Sequence, residues 1–202
     1  PLPVVAASLL PLLLLGACGE GARPTAAPLT REQAVREAVR ITATAQLEVM
    51  RQARPGMRES DIKAIIDGVF RREGANALAF PHIVAAGRHA GDAHYFGGDG
   101  LLADGDLLVV DIGAMRAGWA SDLTRTIPVS GRFSSRQREL YALALEGQEL
   151  AARRAHTGVD SLEAMQEWVT EHVRASPLRA SLADGSLQSL DQFNPYRLGH
   201  YM

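Results

Sequence analysis

The stretch LLVVDIGAMRAGWASDLTRT, residues 107–126, decides the fold of this chain. It begins with a run of Leu and Val that predicts a buried strand over residues 107–111. Residues 119–127 predict a second strand, and MRAG between the two predicts a turn. We therefore expect two neighbouring antiparallel strands with one aspartate each, Asp111 in the first and Asp122 in the second.

The two aspartates are expected to face each other. A turn centred between Arg116 and Ala117 brings them directly opposite, with their Cβ atoms roughly 5 Å apart. Facing carboxylates repel unless they share a proton or hold a cation, and a divalent metal ion suits two hard oxygen ligands best. The alternative is that one aspartate caps a turn while the other pairs with Arg116 or Arg125.

Helical patterns flank this hairpin on both sides. Upstream, TREQ at residues 30–33 has the spacing of a capping box, and Ser60 is expected to cap a second helix. Downstream, Ser134 or Ser135 and then Asp160 are expected to begin two more helices. This order indicates an α+β domain with helices packed on a mostly antiparallel sheet.

Composition excludes some partners and leaves one cysteine to explain. The chain has 202 residues, 47% of them hydrophobic, and a net charge of −2, so nothing argues for nucleic acid. Residues 2–15 have the length of a signal h-region, and the following LGAC resembles the lipobox in which the cysteine, here Cys18, is lipidated. We expect a signal over 1–18, a flexible tether over 19–29, and a lipoprotein anchored to the membrane of the bacterial cell envelope, on its periplasmic or extracytoplasmic face. A buried N-terminal helix or strand is the alternative.

The motifs around the aspartates resemble those of the Xaa-Pro aminopeptidases (aminopeptidase P). DIGA at 111–114, SDLTRT at 121–126, ARPGMRES at 53–60 and FPHIVAAG at 80–87 carry the resemblance, which covers residues 30–202. These enzymes are metallopeptidases of the creatinase, prolidase and methionine aminopeptidase superfamily. The resemblance implies the N-terminal part of a catalytic domain with the pita-bread fold, in which helices pack on a mostly antiparallel, curved sheet.

The resemblance also implies a metal site. Asp111 would bind one ion, Asp122 would bridge two, and His200, within LGHYM, would be the third protein ligand; the alternative is that His200 is a loop residue. Two divalent ions are implied, with Mn²⁺ expected and Zn²⁺ or Co²⁺ as alternatives. Two glutamates normally complete such a site further on, and the chain ends before them. We therefore expect these 202 residues alone to be inactive or poorly folded.

A catalytic histidine and a substrate class follow from the same resemblance. His94, in DAHYFGGDG, would donate a hydrogen bond to the tetrahedral intermediate; the alternative is a solvent-exposed loop histidine. His82 and His89 are expected to be surface or loop residues, and Tyr196 stands where many relatives have a second active-site histidine. The implied reaction is hydrolysis of the bond between an N-terminal residue and a following proline, by a hydroxide shared between the two ions.

Other functions fit the same residues. A prolidase or a methionine aminopeptidase would share the fold and the metals, although the segment 121–141 favours the Xaa-Pro group over the methionine group. A non-catalytic pita-bread domain that only binds peptides is a further alternative, and the joint presence of Asp111, Asp122 and His200 argues against it. The peptide substrate would have proline at its second position. The sequence leaves the oligomeric state open.

Overall fold

A computed structural model of the chain describes residues 28–92, 94–155 and 161–177. The predicted signal with Cys18, nearly all of the tether, the helix start at Asp160, Tyr196 and the predicted ligand His200 lie outside the described residues. The described residues form α1 (Arg31–Gln52), α2 (Glu59–Glu73), β1 (Ala77–Leu78), β2 (Ile83–Ala86), a 3₁₀ helix η1 (Gly87–Gly91), β3 (Leu107–Ile112), β4 (Ala114–Arg116), β5 (Trp119–Ala120), β6 (Leu123–Pro128), α3 (Ser135–Arg154) and α4 (Leu162–Ala175).

Helix starts follow the predicted capping residues in two cases. The Thr30 hydroxyl accepts from the Gln33 N–H at 3.3 Å, and the Gln33 side chain accepts from the Thr30 N–H at 2.9 Å, which confirms the capping box of α1. Ser134 forms the same box at the start of α3. These side chains satisfy N–H groups that have no partner within the helix.

The predicted cap of α2 at Ser60 is wrong. Helix α2 already begins at Glu59, and the Ser60 N–H donates to Asp99 Oδ1 at 3.0 Å. Asp61 Oδ2 accepts from the Arg58 N–H at 2.8 Å, so the first turn is capped by its own third residue and by a loop 39 residues away in sequence. A distant carboxylate of this kind leaves no local signal in the sequence.

The strands form two three-stranded sheets in which every strand pair is antiparallel, as predicted. The sheets have the strand orders β2-β3-β6 and β1-β4-β5. In β3 the side chains alternate, with Leu108, Val110 and Ile112 fully buried and the intervening residues half-buried. The buried face of this sheet packs on α1 and α2, and their shared apolar side chains make up the main core.

The predicted pairing of Asp111 with Asp122 is wrong by two residues. Asp111 pairs with Thr124, and the two-residue turn lies at Ala117 and Gly118, with φ of 49° and 81°. Two successive residues with positive φ form the tight turn whose twist suits a hairpin, and a glycine at the second position makes it accessible. Because the shift is an even number of residues, it does not change which face of the sheet each paired residue of β6 occupies, whereas Asp122 lies just before β6 and outside the pairing.

Gly113 lies where the chain passes from one sheet to the other, between β3 and β4. A Cβ atom there would overlap the backbone carbonyl oxygen of Ser121 and would lie 2.8 Å from a ring carbon of Phe80. The Gly113 carbonyl oxygen also accepts from the Ala79 N–H at 2.8 Å. Glycine is therefore required in the DIGA motif because two backbone segments approach closely.

Helices α3 and α4 pack against each other as a pair. Gly147 of α3 allows close approach, since a Cβ there would lie 3.0 Å from Val169 Cγ1 of α4. The Ser161 hydroxyl caps the start of α4 by accepting from the Ala164 N–H at 3.2 Å. In the part of the chain that the structure describes, none of the helices is long and apolar enough to cross a membrane.

Candidate active site

Asp111 lies in the central strand of its sheet, on the face that points away from α1 and α2. Ile83 of β2 pairs with it on one side, and Thr124 of β6 pairs with it on the other. Its carboxylate oxygen Oδ1 is buried and has no hydrogen-bond partner among the described residues. A buried carboxylate oxygen without a donor costs stability unless a cation or a proton neutralises it. The position therefore fits a metal ligand.

The arginines that would otherwise neutralise Asp111 make other contacts. Arg116 Nη1 donates to the carbonyl oxygen of Gly74, and Arg125 Nη1 donates to that of Thr124, both at 2.7 Å. The alternative in which an arginine pairs with Asp111 is therefore not supported. A carboxylate presented on a rigid strand is a hard oxygen donor, which suits Mn²⁺, Zn²⁺ or Co²⁺.

Asp122 is exposed and lies at the break between β5 and β6. It precedes Thr124, the partner of Asp111, by two residues, and it stands just before the first residue of β6. Within residues 28–92, 94–155 and 161–177, no group of three or more His, Cys, Asp or Glu side chains is arranged to hold a metal ion. Asp111 on β3 and Asp122 at the entry to β6 thus belong to the same hairpin, while His200 lies outside the described residues.

The backbone next to both aspartates is held by a side chain of α1. The amide nitrogen of the buried Gln46 donates to the carbonyl oxygens of Val110 and Leu123, both at 2.9 Å. Val110 directly precedes Asp111, and Leu123 directly follows Asp122. One glutamine therefore sets the distance between the two strands at the point where the aspartates lie.

A hydroxyl pair forms a second anchor between α1 and the hairpin. The hydroxyl oxygens of Thr42 and Ser121 lie 2.7 Å apart, and the Ala114 N–H donates to Thr42 Oγ1 at 2.9 Å. Ser121 directly precedes Asp122, so this contact fixes the chain on the other side of that aspartate. Sequence reasoning misses the roles of Thr42 and Gln46; the signal that would reveal them is a polar residue on the buried face of an amphipathic helix.

A cleft of about 180 Å³ opens between β6 and α3. Its strand side includes Thr124 and Thr126, which pair with Asp111 and Val109 and therefore share the Asp111 face. The helix side is lined by Tyr141, Ala144, Leu145 and Gln148. A mixed polar and apolar cleft thus lies beside the strand that pairs with Asp111.

His94 lies on the loop between η1 and β3, and it is exposed. Its backbone N–H donates to Asp92 Oδ1 at 3.0 Å, and its ring centroid lies 6.4 Å from that of Phe96. These contacts are made within the loop and leave the imidazole accessible to a ligand. The strand pairing that joins the two aspartates does not include this loop.

Glu59, the first residue of α2, organises the loop that carries His94. Its Oε1 accepts from the Ala86 N–H at 2.8 Å and lies 3.0 Å from His89 Nδ1. Its Oε2 accepts from the Gly100 N–H at 2.8 Å and from the Tyr95 hydroxyl at 3.1 Å. Burial raises the pKa of this carboxyl, but these four contacts outweigh burial and hold the pKa below its ordinary value.

Two histidine predictions have different outcomes. His89 lies in η1 and is partly exposed, and it contacts Glu59 as described above. His82 is a loop residue, as predicted, between β1 and β2, but it is not on the surface, because its side chain is only 5% exposed. Its Nε2 lies 3.1 Å from Asp67 Oδ1, its Nδ1 is buried without a hydrogen-bond partner among the described residues, and its ring packs edge-on against Phe70. Burial lowers the pKa of His82, and the Asp67 carboxylate opposes that shift.

Comparison with known proteins identifies the family. The model of metallopeptidase family M24 matches residues 33–202, so the chain belongs to the M24 family of metallopeptidases. It is 34% identical over 163 residues to the Xaa-Pro aminopeptidase of Escherichia coli, a match that covers 81% of this chain and 37% of that protein. The chain therefore spans little more than a third of the length of this relative.

Solved structures of the same family share the fold. The structure of Pseudomonas aeruginosa aminopeptidase PepP matches with a TM-score of 0.72 and 34% identity, over 81% of this chain and 37% of that one. Zinc-substituted E. coli aminopeptidase P in complex with product matches with a TM-score of 0.70 and 34% identity, over 80% of this chain and 36% of that one. The described helices and antiparallel sheets are thus part of the pita-bread fold expected from the sequence.

Proposed function

We propose that the protein containing this chain is a metal-dependent aminopeptidase that hydrolyses the bond between an N-terminal residue and a following proline. The observation that carries the proposal is the buried, unpartnered Oδ1 of Asp111 in a chain of the metallopeptidase family M24. The relatives named above, an Xaa-Pro aminopeptidase and aminopeptidase P, support the substrate class. Peptides with proline at the second position are the proposed substrates.

The proposed ligands of two divalent ions are Asp111, Asp122 and His200. When bound, the ions supply Lewis acidity that activates a water molecule for attack on the peptide carbonyl group. Mn²⁺ is the proposed metal, and the zinc-substituted relative supports Zn²⁺ as a substitute. The rigid strand position of Asp111 holds the ligand geometry with little reorganisation.

His94 is the proposed donor to the oxygen atom that becomes negative during the reaction. An exposed imidazole on a loop reaches a bound peptide from the solvent side, and a hydrogen bond to a developing oxyanion stabilises the transition state. The cleft beside Thr124 and Thr126 is the proposed path for the peptide. Proline at the scissile bond lacks an N–H, so the site needs no acceptor for one.

The test compares Asp111→Asn with Asp104→Asn in the protein that contains this chain. Asp104 is exposed in the loop before β3, so the same carboxylate-to-amide change there serves as the control. With Mn²⁺ present, Asp111→Asn is expected to lower kcat/KM on a tripeptide with proline at the second position by more than about 100-fold, and to weaken Mn²⁺ binding in calorimetry. Equal activities of the two variants would contradict the proposal.

Substrate choice distinguishes the related enzymes. The tripeptide is expected to be cleaved faster than the same peptide with alanine second, than the dipeptide Xaa-Pro, and than a peptide that begins with Met-Ala. Preference for the dipeptide would indicate a prolidase, and preference for the methionine peptide would indicate a methionine aminopeptidase. Peptide binding without any hydrolysis in the presence of metal would indicate a binding domain.

The proposal includes a lipid anchor on Cys18 and a location at the bacterial cell envelope, on its periplasmic or extracytoplasmic face. Its support is the apolar run over residues 2–15 followed by LGAC. In cells fed a labelled fatty acid, the protein is expected to carry the label and to sediment with membranes. Cys18→Ala is expected to lose both properties, and an unlabelled protein with Cys18 present would contradict the anchor.

A further inference from the structure

The loop over residues 87–100 begins with the short 3₁₀ helix η1, and both of its ends and its middle contact one side chain. Glu59 contacts the residue before the loop, Ala86, and the last residue of the loop, Gly100, through their N–H groups. It also contacts His89 and Tyr95 between them. The four contacts span 15 residues of sequence, from Ala86 to Gly100, and occupy both oxygens of one carboxylate, so the loop closes around Glu59.

The contacts of Glu59 extend to the residue next to His94. Tyr95, which directly follows His94, donates its hydroxyl to Glu59 Oε2, and its ring stacks on His89 with the centroids 4.5 Å apart. The His89 ring contacts Glu59 Oε1 in turn. Both side chains of this stack therefore contact the same carboxylate, and one of them belongs to the residue that directly follows His94.

The burial of Glu59 requires an explanation beyond packing. Its side chain has no exposed surface, and the described contacts of its carboxylate come from two N–H groups, a hydroxyl and an imidazole, with no arginine or lysine. A carboxylate without an arginine or lysine partner is costly to bury, and apolar residues of similar size would pack the same space more cheaply. Its four donors and its place in the first turn of α2, where the helix dipole favours negative charge, make it tolerable.

We infer that Glu59 is a positioning residue, which fixes the loop over residues 87–100 and thereby holds His94 where it donates to the tetrahedral intermediate. The inference rests on the proposed aminopeptidase function. A second tie supports the same arrangement: Arg58 Nη1 donates to the carbonyl oxygen of Asp99 at 2.8 Å, next to Gly100. Two adjacent residues at the start of α2, Arg58 and Glu59, therefore both contact the loop or its ends.

The test is a double-mutant cycle in the protein that contains this chain, with Mn²⁺ and the proline tripeptide. Tyr95→Phe removes one of the four contacts and keeps the ring stack, so it is expected to fold and to lower kcat about 10-fold with KM unchanged. Glu59→Gln is expected to lower kcat about 100-fold. In the His94→Ala background, either change is expected to lower kcat by less than about 2-fold, because its effect passes through His94.

A matched control separates positioning from general destabilisation. Val69→Ala removes core volume from α2 at a residue that is 1% exposed and outside the loop. Its effect on kcat is expected to be the same with His94 present or absent. Effects of Tyr95→Phe that simply add to those of His94→Ala would overturn the inference.

Hydrogen–deuterium exchange tests how Glu59 holds the loop without relying on the proposed enzymatic activity. Tyr95→Phe is expected to speed the exchange of amides within residues 92–100 at least about 10-fold, while α1 and β3 stay unchanged. Unchanged exchange in the loop would overturn the inference even if the protein is an active aminopeptidase. A wild-type protein without activity on any of the peptides would overturn the proposed function, and with it the positioning of His94 by Glu59 for catalysis, whatever the exchange shows.

Discussion

The two parts of the candidate site are held by different kinds of interaction. Asp111 lies on a strand that is paired on both sides, and the backbone beside both aspartates is anchored to α1 by Gln46. The loop that carries His94 has no strand partner along most of its length and closes around the carboxylate of Glu59. The first region relies on repeated backbone hydrogen bonds, whereas the second relies on one ionised group.

The two regions should therefore respond differently to substitution and to pH. Backbone pairing is insensitive to pH, so the aspartate region should fail mainly when the strands are pushed apart or lose their anchor. A loop organised by a carboxylate depends on charge and on local contacts, so it should loosen without unfolding the sheet. We expect three losses of stability, which decrease from a substitution between the sheets, to one on α1, to a change of pH.

The largest effect is expected at the crossing between the sheets. Gly113→Ala would drive a methyl group into the carbonyl oxygen of Ser121, which cannot move aside as a flexible side chain would. We expect the free energy of unfolding to fall by about 3 kcal/mol, measured by chemical denaturation. Gly68→Ala in α2 is the control, because a Cβ there meets nothing within 4 Å. The control is expected to raise stability by about 0.5 kcal/mol, and equal losses at both positions would contradict the steric explanation.

A smaller loss is expected when the anchor on α1 is removed. Gln46→Leu keeps the size of the side chain but leaves the carbonyl oxygens of Val110 and Leu123 without their donor. We expect about 2 kcal/mol of lost stability and weaker Mn²⁺ binding in calorimetry. Gln52→Leu, which removes only a contact to Glu48 within α1, should cost less than about 0.5 kcal/mol. Unchanged Mn²⁺ affinity in Gln46→Leu would show that the hydrogen bonds of Gln46 do not affect the proposed metal site.

The smallest effect concerns pH and the histidine that joins α2 to β2. Because burial lowers the pKa of His82, the unfolded chain binds a proton more readily than the folded one below about pH 6.5, its ordinary pKa. Its contribution to stability is therefore present above that pH and is lost on acidification, with a slope of at most about 1.4 kcal/mol per pH unit.

Denaturation curves between pH 5 and pH 8 check the His82 prediction. His82→Gln should flatten the dependence in this range. Asp67→Asn should extend the loss to lower pH, because the Asp67 carboxylate raises the pKa that burial lowers. A wild-type protein that is equally stable at pH 5 and pH 7 would contradict the prediction.

Much of the fold can be predicted from local patterns in the sequence. The capping box at Thr30, the helix cap at Ser134, the strand β3 and its antiparallel pairing with β6 all match the sequence prediction, because each depends on residues that are close in sequence. The register is two residues off because the turn at Ala117 and Gly118 uses an alanine with positive φ, which sequence preferences do not indicate.

Less of the candidate site can be predicted from local patterns in the sequence. The strand position of Asp111 follows from the local pattern, and the ligand role proposed for Asp111 and Asp122 comes from the resemblance of their motifs to those of the family. The side chains that hold the site in place cannot be predicted from local sequence. Gln46, Thr42 and Glu59 contact residues that are 27 to 79 positions away. A polar residue inside an apolar helix face can be seen in the sequence, but its partner appears only in three dimensions.

The anchors on α1 also have a consequence for the order in which the protein is made. Gln46 meets its acceptors 64 and 77 residues later in the chain, and Thr42 meets Ser121 after 79 residues. At typical rates of synthesis this is a wait of roughly 3 to 16 s, during which the nascent helix carries an amide and a hydroxyl in the middle of its apolar face. The Thr42 hydroxyl can donate to the Ala38 carbonyl oxygen within the helix, but premature collapse would bury the Gln46 amide without its acceptors. Gln46 thus links the completion of the core to the emergence of β6 from the ribosome.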